Sequence, residues 1–442
     1  MSTKCKVAAC QLTSTNNKEE NLASFKKLIN KALQTNAKMV FFPEACDFIA
    51  QDKNEAKNLS EPLDGHLMRE YRNIAKENKI WISIGGFHEK SDETIYNSHV
   101  LIDSDGEIRS IYRKIHLFDV TIPEKNVFLR ESDLNTGGSQ IISPVNTPAG
   151  PLALSICYDL RFPEQSVIQT KLGANILTYP SAFTNATGQV HWEVLLRARA
   201  IETQCYVIAA AQYGKHNSKR TSFGQSMIID PWGKILAECP KYTEGTDKDE
   251  SIAVAEIDLE MLVKIRQEMP VFQHRRNDVY NLNLINKEIY KFNDTDTFKF
   301  ADKIILGSNV FYRSKYSYAF TNIRCVVPGH VLVATLRQTS RLINLSQEEI
   351  ADIFQTAIAV QRVMEQEHNC SSSTICVQDG KFAGQTVPHI HIHILPRKLG
   401  DFNQNDDVYG HLAKHDKEDN PQPLRDPQEM AKEARRLRKY FA

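Results

Sequence analysis

Between Pro388 and Lys398 the chain reads Pro-His-Ile-His-Ile-His-Ile-Leu-Pro-Arg-Lys, so His389, His391 and His393 alternate with Ile390, Ile392 and Ile394. Alternation is the period of a β-strand: the imidazoles share one face and the isoleucines bury the other. Successive histidines on such a face stand about 7 Å apart, close enough to act on one ligand. Two chemistries suit them. Three neutral imidazoles can ligate zinc or iron. Alternatively, an imidazole nitrogen attacks phosphorus, being a good nucleophile there and a good leaving group. The preceding residues favour phosphate. Gln378-Asp379-Gly380 and Gly384-Gln385-Thr386-Val387 place glycines and amides where N–H groups can reach phosphate oxygens. A fourth histidine, His330, follows the turn Val327-Pro328-Gly329.

A second set of residues belongs to unrelated chemistry. Phe41-Phe42-Pro43-Glu44-Ala45 puts a carboxylate at the end of an apolar strand. Tyr112-Arg113-Lys114-Ile115-His116-Leu117 sets a lysine near a histidine. Ile156-Cys157-Tyr158-Asp159-Leu160-Arg161-Phe162-Pro163-Glu164 sets a cysteine at a strand end before a helix, whose N-terminus favours thiolate. A glutamate could take the thiol proton and a lysine could stabilise an oxyanion. On residue types alone the set is weak, because a strand-end cysteine is more often a small buried hydrophobe.

The elements that must position these groups fall into two blocks. A chain of 442 residues is long for one core. From Lys6 to about Ile257, short apolar strands alternate with helical stretches, which implies an α/β layered domain. The polar, Asn- and Asp-rich stretch 282–297 reads as a linker between a first domain, 1–281, and a second, 298–442. The second domain opens with three strands. It continues with an amphipathic helix capped by Ser346 and Glu349, with Ile350, Ile353, Phe354, Ala357 and Met364 as its apolar face. The strands 373–378 and 389–395 follow, then a polar loop over 399–427 expected to be mobile, then a last helix. Lys and Arg balance Asp and Glu at 54 each, so no global field draws the chain to nucleic acid or lipid. Nine scattered cysteines without CxxC spacing argue for a reducing compartment. No run approaches the ~18 apolar residues of a membrane span, and the cytoplasm is the default location.

The first set of motifs resembles the nitrilase superfamily, in which a glutamate, a lysine and a cysteine fall in this order within strings of this form. The likeness covers about residues 4–281. It implies an αββα four-layer sandwich that self-associates. By resemblance Glu44 is the general base, Lys114 stabilises the tetrahedral intermediate and Cys157 is the nucleophile. The family's second glutamate falls on Glu131, with Glu124 close by. The implied reaction cuts a carbon–nitrogen bond through an acyl-enzyme on cysteine. The branch that this sequence resembles acts on small carboxylate-bearing amides, deaminated glutathione being the expected substrate.

The histidine strand and its surroundings resemble the HIT superfamily, an α+β fold with an antiparallel sheet, and within it the Fhit branch. This likeness runs from about Phe298 to Ala442. It implies that His391 attacks an α-phosphate and forms a transient nucleotidyl-histidine, with His389 orienting it and His330 behind. His393, Gln378, Gly384, Gln385, Thr386 and Val387 would hold phosphate or ribose, and Asn322 the ribose. Lys303 matches a substrate-contact position but differs in residue type. Tyr409 matches a tyrosine of the branch, although an exposed loop aromatic explains it as well. The implied substrate is a dinucleoside polyphosphate, with diadenosine triphosphate cut to AMP and ADP. A divalent cation, Mg or Mn, accompanies the polyphosphate on substrate oxygens and not in a protein cage. The whole chain thus reads as a bifunctional hydrolase and a homotetramer. A dinucleotide-binding signalling protein, in which turnover is secondary, and a metalloenzyme at the triad stand as the alternatives.

Overall fold

A computed structural model of the chain describes residues 4–122, 127–246, 248–277, 279–280, 282, 290, 292–415 and 423–441. It divides into two compact units, Met1–Asn286 and Lys287–Ala442. Of the polar stretch 282–297, residues 283–289 and 291 lie outside the described residues, and Thr297 already belongs to a strand.

Two sheets stack in the first unit. Eight strands form one: Thr221–Phe223, Ala211–Lys215, Lys4–Leu12, Met39–Phe41, Trp81–Ser91, Thr94–Ile102 and Ile108–Arg113 in spatial order, with Ser251–Asp258 also paired to Lys4–Leu12. The other has six strands, ordered Ile235–Glu238, Met227–Ile229, Tyr206–Ala209, Ile176–Thr178, Gly150–Ala153 and Val145–Thr147. Strand Lys4–Leu12 shows why both faces of the first sheet are covered. Val7 and Ala9 join a core shared with Leu152, Ile176 and Val207 of the second sheet. Their neighbours Ala8, Cys10 and Leu12 pack with Phe25, Leu28, Met68 and Tyr71 of helices Lys18–Gln34 and His66–Asn78. Trp192, Leu196 and Ala200 of helix Asn185–Thr203 belong to the core of the second sheet. The result is a helix–sheet–sheet–helix sandwich.

The second unit is a five-stranded antiparallel sheet ordered Val310–Arg313, Ser317–Thr321, Val331–Thr335, His391–Arg397 and Ser372–Cys376, beside a hairpin of Thr297–Phe300 and Lys303–Leu306. Ile390, Ile392 and Ile394 pack against Ile353, Ala357, Val360 and Met364 of helix Gln347–Glu367 and Ala434 and Leu437 of helix Pro427–Arg438. The capping box forms, Glu349 N–H donating to Ser346 Oγ and Ser346 N–H to Glu349 Oε2. The buried stripe of that helix is displaced from the expected one: Ile350 and Phe354 are exposed, and Val360 takes their place in the core. The expected loop over 399–427 contains a helix, Asp407–His415, because Val408 and Leu412 bury against Val327 and Leu395. Residues 416–422 lie outside the described residues. Among the described residues no helix is long and apolar enough to cross a membrane.

Candidate active sites

Glu44 lies just past strand Met39–Phe41 and bridges Gly86 of the neighbouring strand. Lys114 follows strand Ile108–Arg113, its N–H donating to Asn97 O at 2.9 Å. Between Lys114 and Glu131 the chain makes a hairpin, Asp119–Ile122 against Val127–Arg130, with Asp119 opposite Arg130. That hairpin returns Glu131 to Phe118, whose N–H donates to Glu131 Oε2 at 2.8 Å. Glu124 lies outside the described residues. Cys157 ends the apolar segment after strand Gly150–Ala153 with φ +45° and donates its N–H to Pro180 O at 2.9 Å. A left-handed backbone at a non-glycine residue costs on the order of 1–3 kcal/mol, and here it turns the thiol out of the strand. Asp159, fully buried, holds the turn by accepting from Ile156 N, Tyr112 OH and His116 Nδ1 at 2.8, 2.7 and 2.7 Å. The same carboxylate thereby ties the nucleophile's turn to the segment that carries Lys114.

These groups converge. Lys114 Nζ donates to Glu44 Oε1 at 2.9 Å and to Glu131 Oε2 at 2.8 Å, and Lys114 is 2% exposed. Asn97 Nδ2 bridges the two carboxylates, 2.9 Å from Glu44 Oε1 and 3.2 Å from Glu131 Oε1. Glu44 Oε2 accepts from Ala182 N at 3.0 Å. Burial would raise the Glu44 carboxyl, but the Lys114 ammonium and hydrogen bonds from the Cys157 thiol and from Lys114 outweigh it and hold the group well below the usual carboxylate range. Cys157 moves oppositely: burial, then the Glu44 charge, push its thiol well above the ordinary value against the pull of Lys114. The resting site is therefore a thiol against a carboxylate–ammonium–carboxylate cluster. This corrects the expected helix-favoured thiolate. Cys157 heads a five-residue 3-10 turn, Cys157–Arg161, and helix Pro163–Lys171 starts only beyond it.

All four residues line a cavity of about 620 Å³. Asn97, Tyr158, Arg161 and Arg220 share the wall and were not foreseen. Nothing in a strand such as Ile95-Tyr96-Asn97-Ser98 distinguishes a site amide from any inward polar residue. Arg161 could have been suspected from its place four residues after the nucleophile.

In the second unit the histidine strand starts at His391, two residues later than expected, and His389, His391 and His393 are all buried. His391 Nδ1 lies 2.7 Å from His389 O. A carbonyl can only accept, so Nδ1 carries the proton and the ring lone pair lies on Nε2. His389 acts through that backbone oxygen. Its own ring is fixed elsewhere, Nε2 donating to Thr335 O at 2.7 Å and Nδ1 accepting from Ala301 N at 3.2 Å. Burial lowers its pKa more than the Thr335 bond raises it. His330 does not stand behind His389, as expected; its Nε2 lies 3.0 Å from His393 Nδ1. Val326 N–H donates to His330 Nδ1 at 3.2 Å, so Nε2 carries the proton and gives it to His393 Nδ1. In neutral His393 the remaining proton then sits on Nε2.

The surrounding expectations meet mixed fates. Gly384 has φ +89°, and a Cβ there would come 2.9 Å from Gln378 Nε2, so the loop needs glycine to close on that amide. Gln385 spends its side chain inside the loop, accepting from Gly380 N at 3.2 Å and donating to Ser340 O at 3.0 Å. Val387 is buried with Phe298 and Phe300, and Thr386 is exposed. Asn322, 2% exposed, faces His330 at 3.3 Å. Lys303 is exposed at the start of its strand, and Tyr409 is exposed on helix Asp407–His415. Phe300, not foreseen, lies edge-on to His391 with centroids 5.1 Å apart. Among the described residues no group of three or more His, Cys, Asp or Glu is arranged to hold a metal ion.

Residues 6–267 match the carbon-nitrogen hydrolase family and residues 306–400 the HIT domain. The chain is 51% identical to the nitrilase and fragile histidine triad fusion protein NitFhit of Drosophila melanogaster, over 98% of this chain and 92% of that one. Its first part is 50% identical to the deaminated glutathione amidase of Homo sapiens, over 62% of this chain and 83% of the other. The crystal structure of the C. elegans NitFhit protein superposes with a TM-score of 0.84 at 44% identity, covering 100% of both chains.

Proposed function

The chain belongs to the nitrilase and fragile histidine triad fusion proteins, a carbon-nitrogen hydrolase domain followed by a HIT domain, and on that premise we propose how its two centres work. The first hydrolyses a small carboxylate-bearing amide, with deaminated glutathione the leading candidate. The observation that carries this reading is that Cys157 shares one cavity with Glu44 and Lys114, whose ammonium donates to Glu44 Oε1 at 2.9 Å. Cys157 Sγ attacks the amide carbon as Glu44 takes the thiol proton. Two of the three Lys114 N–H donors are held by Glu44 and Glu131, and the third serves the developing oxyanion. The C–N bond then breaks, the leaving nitrogen takes the proton from Glu44, and a thioester remains. Water attacks it, giving its proton to Glu44; the acid leaves and the thiolate is reprotonated. Glu131 and Asn97 keep Lys114 and Glu44 in register throughout.

The second centre cleaves a dinucleoside polyphosphate such as diadenosine triphosphate to a nucleoside monophosphate and the remaining diphosphate. His391 Nε2 attacks the α-phosphorus, the nucleoside diphosphate leaves, and water cleaves the P–N bond of the nucleotidyl-histidine. His393, with its proton on Nε2, donates to a phosphate oxygen. Mg or Mn enters with the polyphosphate as part of the substrate, held by substrate oxygens.

The test is product formation from deaminated glutathione and from diadenosine triphosphate by wild type, Cys157→Ala and His391→Asn. Each substitution abolishes its own reaction and spares the other. Loss of both reactions in either variant, with the fold intact, overturns the assignment of separate centres.

A further inference from the structure

The cavity at Cys157 is lined by six cationic side chains and three carboxylates. Lys114 is neutralised by Glu44 and Glu131, and Lys53 pairs with Asp133. Among the described residues no carboxylate comes within 4.0 Å of Arg130, Arg161, Lys219 or Arg220. The two lining arginines that flank the nucleophile and its base come from different elements. Arg161 ends the nucleophile's own turn, 5.4 Å from the Phe183 ring centroid and 5.8 Å from that of Tyr158, with Nη1 3.3 Å from His191 Nδ1. Arg220 stands on the turn between strands Ala211–Lys215 and Thr221–Phe223, near enough to Glu44 for its charge to be felt there.

That turn is rigid. Arg220 N donates to Asn217 Oδ1 at 2.9 Å, and Arg220 O accepts from His216 N at 2.9 Å. Asn217 Nδ2 donates to Ala50 O, also on the cavity wall, at 3.2 Å. The buried His216 ring is pinned by Ser14 O and Ser222 Oγ, each at 2.8 Å. A fixed backbone thus presents an exposed guanidinium with no carboxylate partner, beside Lys219. Such a group suits a second anion, because a guanidinium takes a carboxylate through two parallel N–H bonds.

We infer that Arg220 is a specificity residue that takes a second carboxylate, distal to the scissile bond, so that this cavity selects doubly anionic amides. The inference rests on the amidase reading above. It is tested with deaminated glutathione and the methyl ester of its C-terminal glycine, which lacks the distal charge and adds no second amide. Wild type should favour the free acid by about tenfold or more in kcat/KM. Arg220→Met should bring the ratio near one, and Arg220→Lys should keep part of it. Damage to the fold or to Glu44 scales both rates together and leaves the ratio alone. A wild-type ratio near one, or a ratio unmoved in Arg220→Met, overturns the second subsite while the amidase reading stands. Hydrolysis of neither compound removes that reading, and this inference with it.

Discussion

The two centres hold the buried side chains proposed as nucleophiles by opposite means. At Cys157 the means is fixed charge: one ammonium held between two carboxylates, with the thiol kept neutral against one of them. At His391 it is tautomer: backbone carbonyls and amides decide which ring nitrogen carries the proton. A thiol needs its proton removed and a counter-charge waiting, so the first site stores both. An imidazole is already a nucleophile when neutral, so the second needs only orientation and the right lone pair. The contrast predicts where each site breaks.

The largest effect falls on the nucleophiles themselves. Cys157→Ala and His391→Asn should each lower their own reaction by on the order of 10⁴-fold or more. Next comes charge. Lys114→Met leaves the buried Glu44 and the half-buried Glu131 carboxylates facing each other without their cation, and should destabilise the first unit by about 3 kcal/mol. Calorimetry of the whole chain reads this as a lowered first transition. A variant as stable as wild type would mean that the cluster is not held by charge. Glu131→Gln keeps the shape and removes one anion. It should slow amide hydrolysis by about 10–100-fold and leave diadenosine triphosphate turnover unchanged. Equal rates with wild type would reduce Glu131 to a spectator.

The smallest effect is acid sensitivity. Burial lowers His99 to about 4 and His216 to about 3, the first outweighing a bond to Ser155 O, the second helped by the Arg220 charge. The folded state thus binds fewer protons than the unfolded chain below its imidazole pKa near 6.5. The stability these rings contribute is complete above that value and is lost as pH falls toward the folded values. At pH 5.5 each costs roughly 1 kcal/mol relative to pH 7.5. A first-unit melting temperature that is flat from pH 7.5 to 5.5 would contradict their burial as neutral rings.

Much of this architecture was legible in the sequence, for identifiable reasons. Strand–helix alternation marked the sandwich, and the Ile390/Ile392/Ile394 face marked the helix-covered side of the second sheet. Resemblance to the nitrilase superfamily, more than residue types, brought Glu44, Lys114 and Cys157 forward as a set. Other features were not legible from the residues themselves. Glu131 came forward through the family resemblance alone, because the hairpin that folds it back on Phe118 is a tertiary pairing that spacing does not reveal. The state of Cys157 depends on burial beside Glu44, which overrides the helix-terminus argument. The pairing of His330 with His393 depends on how strand Val331–Thr335 registers against His391–Arg397, and the helix at 407–415 on burial of Val408 and Leu412 in a polar stretch.

The central claim, two nucleophiles of different kind in one chain, is tested most directly by rapid quench and peptide mass spectrometry of wild-type protein. One sample turns over deaminated glutathione and another diadenosine triphosphate. The account predicts an acyl adduct on Cys157 alone in the first sample and an adenylyl adduct on His391 alone in the second. An adduct on any other residue, or turnover with neither residue ever labelled, would contradict it.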